Sequence, residues 1–325
     1  MKILLTHTPD MRANYYGERA LEGLRSLADV LLHEGPSPLA ARDLVAAGRD
    51  ADVIIADRLT AVPAEVFGKL PNLSACLRCA VDIRNIDVGA ATTEGVLITR
   101  AKPGFVESVT ELTLGFLVDL ARGVSRAAND YHRDRVPEVR MGRQLSGSTI
   151  GIIGYGNIAM QLAPVVAALG MTVLIADPHV RVDDARFQQV PLDLLLAEAD
   201  HVVCLAIATE ATENLMNAAA FRRMKRDAVF INVSRGNLVD EAALIAALND
   251  GTIGGAAIDV GRAVDQMPTP AIAALPNVIA TPHIGGLTPP AIEAQALDTV
   301  EQVRELIDGK VPHGAVNGEY WSRRL

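Results

Sequence analysis

Two segments of this 325-residue chain put reactive side chains where strands end. "FINVSRGNLVDEAALIAAL" places Arg235 and Gly236 after a strand-like run and before a helix that Asp240 is suited to cap. "NVIATPHIGGLT" places His283 after a second such run, followed by Gly285 and Gly286. A guanidinium offers a planar, bidentate fork for a carboxylate. An imidazole takes and gives a proton near neutral pH, in either direction of a reaction. The pair therefore suits proton transfer to or from a small carboxylate-bearing molecule, provided the fold makes the two converge. His7, His33, His132, His179, His201 and His313 stand in no such constellation and read as structural.

A third segment supplies what such a reaction lacks. "TIGIIGYGNIA" runs from a strand into Gly154-Tyr155-Gly156-Asn157-Ile158-Ala159, and a second strand, "MTVLIAD", ends in Asp177. Gly154 allows a tight turn, Gly156 lets the backbone approach a pyrophosphate, and Ala159 permits close packing of helix on strand. The free amides opening the helix then face the phosphates. Asp177 stands where an acid hydrogen-bonds the adenosine ribose. It would oppose a 2′-phosphate about 4 Å away by roughly 4 kcal/mol at an effective dielectric of about 20, which favours NAD over NADP. Pro164 falls inside the helix beyond the glycines, where a bend is expected.

The elements that must carry these residues form two series. "KILLT", "VLLH", "DVIIAD", "ACLRCAV" and "VLITR" read as five short strands by about Arg100, separated by Ala- and Leu-rich helical stretches. The segment from Lys102 to His132 reads as one long helix, with apolar residues every three or four positions. "YHRDRVPEVRMGRQLSG" is charged and aperiodic and reads as a surface loop. A second series starts at "STIGIIGYG" and continues through "TVLIAD", "HVVCLAI", "AVFINV", "GGAAIDV" and "NVIATP". Helical periodicity then resumes to Gly309, a residue that stops helices. The length suits two domains, and two domains imply a cleft.

Composition narrows the class further. Half the residues are hydrophobic but only 4% aromatic, which suits buried parallel strands and an α/β architecture. The formal net charge of -9 argues against nucleic-acid or acidic-lipid surfaces as partners. Cys76, Cys79 and Cys204 are too few for a disulfide framework, and one Cys-x-x-Cys is a weak metal or redox signal. The opening apolar run is too short for a signal peptide, and no stretch approaches the roughly 20 apolar residues of a membrane span, so a cytoplasmic protein is expected.

Taken together, "GIIGYGNIA", Asp177, "NVSRGNLVDEAAL", "GAAIDV" and "TPHIGG", with weaker support from "NIDVGAA" at 85–91, make the chain similar to the D-isomer-specific 2-hydroxyacid dehydrogenases over nearly its whole length. The resemblance implies two doubly wound parallel-sheet domains: a Rossmann NAD-binding domain, residues 100–286, inserted in a flavodoxin-like substrate domain, residues 1–99 plus 287–325. It implies NAD-dependent interconversion of a D-2-hydroxy acid and a 2-keto acid, with Arg235 binding the carboxylate and His283 as general acid/base. It also implies a homodimer built largely on the nucleotide domains, which suits the long helix near residues 104–130. By the same resemblance Gly154, Gly156, Asn157, Ile158, Asp177, Ile207, Thr212, Val233, Ser234, Arg235, Asp259, His283, Gly285 and Gly286 flank the cofactor, with Asp259 near the nicotinamide carboxamide. Ile207 replaces a proline common in the family.

Two departures from that pattern matter. The family's Gly-x-Gly-x-Asp loop, which holds the substrate carboxylate on backbone amides, here reads Ala80-Val81-Asp82-Ile83-Arg84 and puts an anion where an anionic substrate docks. In "DVGRAVDQMP" the glutamate that partners the histidine aligns with Val264, and Asp265 follows it. Asp265 is either the acid displaced by one residue or a solvated loop residue; a shorter acid needs a backbone shift near Gly261 to serve. A partner carboxylate orients an imidazole and favours its charged form, so its loss weakens catalysis without abolishing it. An NAD(H)-sensing protein that keeps the fold with little or no turnover is the alternative function.

Overall fold

A computed structural model describes all 325 residues. The chain divides into two compact units, residues 1–105 with 288–325, and residues 106–287.

The first unit holds β1 (Lys2–Leu5), β2 (Asp29–Leu32), β3 (Val53–Ala56), β4 (Ala75–Arg78) and β5 (Leu97–Arg100) in one parallel sheet of order β2-β1-β3-β4-β5. All five strands fall where the sequence places them, though β4 stops at Arg78 and releases Cys79–Val81 into the following loop. The side-chain alternation of a strand explains the two cores. Ile3, Leu5, Val53, Ile55 and Leu77 face the helix Glu18–Arg25 and the C-terminal helix Pro289–Ile307, where Val300, Val303 and Leu306 are buried. Leu4, Ile54, Cys76 and Ile98 face the other way, against Leu44, Val66 and Phe67. The C-terminal helix ends at Ile307, two residues before Gly309.

The second unit carries β6 (Thr149–Ile153), β7 (Thr172–Ala176), β8 (Gln188–Gln189), β9 (His201–Cys204), β10 (Val229–Asn232), β11 (Gly255–Ile258) and β12 (Val278–Ala280). They form a parallel sheet of order β12-β11-β10-β9-β6-β7-β8. Strand order reverses between β6 and β9, and at such a switch point the loops leaving the carboxyl ends diverge and leave room for a ligand. The two-residue β8 has no sequence signature; it exists because Gln189 pairs with Ile175 and its amide donates to the carbonyls of Asp177 and Val180. The helix Asn157–Ala168 runs through Pro164.

The single long helix expected from Lys102 to His132 is corrected to two. Val106–Arg122 and Val124–His132 are separated by Gly123 at φ 67°, where Asp119 takes over as acceptor for the amides of Gly123 and Ser125. The apolar period continues across the break because it registers buried faces and is blind to a single left-handed residue. No helix is long and apolar enough to cross a membrane. The three cysteines are buried free thiols, and burial pushes each up to about 12, far from thiolate chemistry at neutral pH.

Candidate active site

In the second unit the loops at the carboxyl ends of the parallel strands are stitched one to the next. At β6, Gly154 has φ 89°, and a Cβ there would lie 2.8 Å from the backbone of Ala206 in the loop after β9. Only glycine fits that approach. Next to it, the amide of Tyr155 donates to Asp177 Oδ2 (2.8 Å) at the end of β7, while Asp177 Oδ1 accepts from the amides of His179 and Val180, both at 2.8 Å. Burial acts to raise the Asp177 carboxyl, but the three backbone donors outweigh it and hold the group below the usual carboxylate range. Asp177 is therefore a fixed anion beside the glycine turn.

Gly156, Asn157 and Ile158 open the helix Asn157–Ala168, and Gly156 supplies no side-chain cap to its first amides. A Cβ built on Gly156 meets nothing within 4 Å. A helix N-terminus without a side-chain cap, beside a glycine with open space where a Cβ would stand, is what a pyrophosphate requires, so the residues present fit a dinucleotide.

Beyond the switch point, Ser234 Oγ donates to Ala206 O (2.7 Å), tying the β10 turn to the β9 loop. That β9 loop holds Ile207, 79% exposed, and Thr212, whose hydroxyl closes the loop by donating to Ile207 O (2.7 Å) and accepting from Thr209 N (2.8 Å). Val233 is buried, and the turn to Arg235 is shaped by Asn232, a residue the sequence reading passed over. Asn232 Oδ1 accepts from Ser234 N (3.1 Å), and its amide donates to Arg235 O (3.0 Å). Its signal is visible in retrospect, since an asparagine just after a buried strand run commonly closes a local turn. Arg235 itself has extended backbone and donates through Nη1 to Ser234 O (2.7 Å).

The stitching continues through Asp259, which is 1% exposed at the end of β11. Its amide donates to Asn232 O (3.0 Å). Its carboxylate grips the turn after β12: Oδ1 accepts from Thr281 Oγ1 (2.6 Å) and Ile284 N (2.8 Å), and Oδ2 from Gly285 N (2.7 Å). His283 sits in the middle of this grip, and half-buried Gly286 follows it. The visible role of Asp259 is thus to hold the histidine turn. Arg235 and His283 leave β10 and β12, which flank β11, so their strand ends lie two strand spacings apart, about 10 Å.

His283 has φ 56°, and its Nδ1 is 2.9 Å from the main-chain carbonyl of Asp265. A carbonyl only accepts, so Nδ1 bears the proton and Nε2 is the nitrogen left to exchange one. Asp265 and Gln266 are left-handed as well, at φ 59° and 57°. Non-glycine residues in this region concentrate at functional sites, where surrounding structure over-determines them.

Ala80, Val81 and Asp82 lie in the first unit, in the loop that leaves β4. Asp82 grips Arg84, which donates through its backbone N (3.1 Å), through Nε to both carboxylate oxygens (3.0 Å each) and through Nη2 (2.5 Å). The anion that departs from the family pattern thus faces a cation two residues along the same loop.

Known proteins share this architecture. Residues 114–285 match the family model for the D-isomer specific 2-hydroxyacid dehydrogenase, NAD binding domain, which assigns NAD(H) as the cofactor of the second unit. A D-3-phosphoglycerate dehydrogenase of Methanocaldococcus jannaschii is 32% identical over 92% of this chain and 57% of its own length. The chain spans little more than half the length of the phosphoglycerate dehydrogenases it matches. An (S)-sulfolactate dehydrogenase of Chromohalobacter salexigens is 34% identical over 81% of this chain and 87% of its own. A crystal structure of a protein from Thermus thermophilus superimposes with a TM-score of 0.86 at 30% identity, covering 97% of this chain and 100% of that one. With the glycine turn and its acid on one half of the sheet and the arginine and histidine turns on the other, the chain belongs to the D-isomer-specific 2-hydroxyacid dehydrogenase family.

Proposed function

We propose that the protein is an NAD-dependent oxidoreductase that interconverts a D-2-hydroxy acid and a 2-keto acid. The observation that carries this reading is the histidine geometry: Nδ1 of His283 is committed to a carbonyl at 2.9 Å, leaving Nε2 to exchange a proton with a substrate oxygen. Bound NADH supplies the hydride. Arg235 takes the substrate carboxylate and so fixes which face of the carbonyl carbon is presented. His283 protonates the carbonyl oxygen in reduction and deprotonates the hydroxyl in oxidation, with Asp265 partnering it. Asp177 selects NAD by opposing a 2′-phosphate. Val233, Ser234, Ile207, Thr212, Asp259, Gly285 and Gly286 flank the cofactor along the stitched loops.

The first unit is proposed as the substrate domain, with Ala80–Asp82 contributing to substrate binding. The names of the relatives point to small, acidic 2-hydroxy acids with a second anionic group, phosphoglycerate in one and sulfolactate in the other. We propose the same substrate class, acting chiefly as keto-acid reduction.

We further propose a homodimer formed through the second unit. Val136, Val139 and Met141 are 88%, 99% and 100% exposed just beyond the helix Val124–His132, on which Val124 and Tyr131 are exposed too. So many exposed apolar side chains along one short stretch of chain suit burial against a second copy. Light scattering on the wild type and on a Val139→Asp, Met141→Asp variant tests this.

NADH consumption across glyoxylate, hydroxypyruvate, phosphohydroxypyruvate and sulfopyruvate tests the activity. The expected result is turnover with at least one of them and near-complete loss in His283→Gln. Tight NADH binding without turnover of any substrate would replace the enzyme reading with that of an NAD(H)-sensing protein.

A further inference from the structure

We infer that Arg262 is a positioning residue for Arg235: its guanidinium clamps the turn that follows Arg235 to the loops leaving β9 and β11, and so sets where the substrate carboxylate is received. The inference rests on the reading of Arg235 as the carboxylate-binding group and names what holds its turn in place.

One side chain makes the clamp. Arg262 follows β11, and its Nε donates to Val239 O (3.2 Å) in the loop after β10. Its Nη2 shares its protons among Val239 O (3.0 Å) and Asn237 O (3.1 Å) in that loop, and Asn214 Oδ1 (2.6 Å) and Glu213 Oε1 (2.8 Å) in the loop after β9. Asn237 and Val239 lie within and just after the short turn Gly236–Leu238, which Arg235 precedes. The Glu213 contact is an ion pair, and the bonds from Arg262 and Asn237 hold that carboxyl below the usual carboxylate range. A guanidinium suits such a site because its donors are fixed in one plane, whereas an ammonium is a single point on a flexible stem.

The backbone on all three sides is set before the side chain reaches across. Arg262 stands between Gly261 and Ala263, whose amides donate into the next turn, to Gln266 O (2.7 Å) and Met267 O (3.0 Å). That turn also carries the Asp265 carbonyl, 2.9 Å from His283 Nδ1. The loops after β10 and β11 touch directly, since a Cβ on Gly236 would lie 2.0 Å from Gly261 O. Their meeting point is thus two glycines, one just after Arg235 and the other just before Arg262. On the β9 side, Asn214 N donates to Asn237 O (2.9 Å) and Met216 N to Leu238 O (2.9 Å), with Asn214 left-handed at φ 54°. Asparagine is among the few residues that accept that conformation. Arg262 therefore ties the arginine turn to the turn that meets the histidine, and both to the β9 loop.

The test uses the full-length protein with three variants and two readouts. In steady-state kinetics with the keto acid that wild type reduces fastest, Arg262→Met is expected to raise KM at least about tenfold while kcat falls by less, because carboxylate binding is lost from ground and transition states alike. Arg262→Lys keeps a cation for Glu213 and should recover part of that loss. Asn214→Gly keeps the left-handed backbone, removes one acceptor of the clamp and should raise KM in the same direction by a smaller factor. A role confined to fold stability gives the opposite split, fewer folded molecules and hence a lower apparent kcat at unchanged KM, and that result overturns the inference. The second readout is amide hydrogen exchange, by mass spectrometry, in peptides spanning residues 234–240 of protein free of cofactor and substrate. Exchange there should be at least about fivefold faster in Arg262→Met than in wild type, and an unchanged rate overturns the inference. Failure of wild type to reduce any keto acid would remove the oxidoreductase reading instead, and hydrogen exchange, which needs no turnover, would still decide whether Arg262 holds the turn.

Discussion

Asp259 Oδ2 accepts the amide of Gly285 at 2.7 Å, and with this bond a strand-end carboxylate governs the placement of a histidine two residues upstream. Three donors converge on that buried carboxylate. Asparagine has one acceptor oxygen, so Asp259→Asn must leave a donor facing its amide. The expected cost is about 2 kcal/mol, given charge-assisted bonds in a buried site. A drop of several degrees in Tm, together with a fall in kcat larger than any change in KM, is the outcome to look for by calorimetry and steady-state kinetics. Unchanged kcat would mean that the turn keeps its shape without the carboxylate.

Asp177 is an anion fixed by three backbone amides at the end of β7. Replacing it with serine removes the repulsion toward a 2′-phosphate. The ratio of NADPH to NADH dissociation constants should fall by roughly 10- to 30-fold, the equivalent of about half the unscreened repulsion. Fluorescence titration of each cofactor measures it directly.

His7 is buried at the end of β1, and burial, aided by the charges of Arg78 and Arg12 and opposed by Asp57, lowers its pKa to about 4. The unfolded chain then takes up the proton first, near pH 6.5. Stability from this group is complete above about pH 6.5 and is lost as pH falls toward 4, by on the order of 3 kcal/mol. Trp321, the single tryptophan, is buried in the same core and reports on this unit alone. Urea midpoints followed by its fluorescence should decline across that window in wild type and show a much weaker slope in His7→Gln.

Asp82 places a carboxylate, paired with Arg84, in the loop after β4. If that loop receives an anionic substrate, Asp82→Gly should lower KM for keto acids by roughly three- to tenfold while leaving kcat nearly unchanged, because it removes a repulsion common to ground and transition states. A KM that rises would show instead that the Asp82–Arg84 pair contributes to recognition.

The sequence disclosed what depends on short-range pattern. Strand positions followed from apolar runs in both sheets, and the dinucleotide turn from Gly154 and Gly156, where the close backbone approach needs glycine, with Asp177 marking the end of the next strand run. What it withheld depends on contacts between distant segments. Thr281 acquires its role only when β11 and β12 lie side by side. The left-handed state of Gln266 follows no propensity of glutamine and is imposed by the closed turn around it. The break at Gly123 was hidden inside a periodic apolar pattern, and β8 has only two residues. At "DVGRAVDQMP" the side chain drew attention as a displaced acid, whereas the atom that meets the histidine belongs to the main chain, which one-letter code does not record.

The first unit is interrupted by the whole of the second, yet the two cut ends are joined to one another. The Lys102 amide donates to Asp298 Oδ2 (3.0 Å), and Asp298 also receives His313 Nε2 (2.9 Å) and Gln302 Nε2 (3.0 Å). Gly104 lies so near the C-terminal helix that a Cβ on it would be 2.7 Å from that of Ala294. This clasp makes the interruption topologically cheap: to the five-stranded sheet, residues 106–287 are equivalent to a short loop between neighbouring points. A chain in which a few glycines and serines replace them should retain every strand and helix of that sheet's core, so the smaller unit is a self-sufficient module into which the larger one has been spliced.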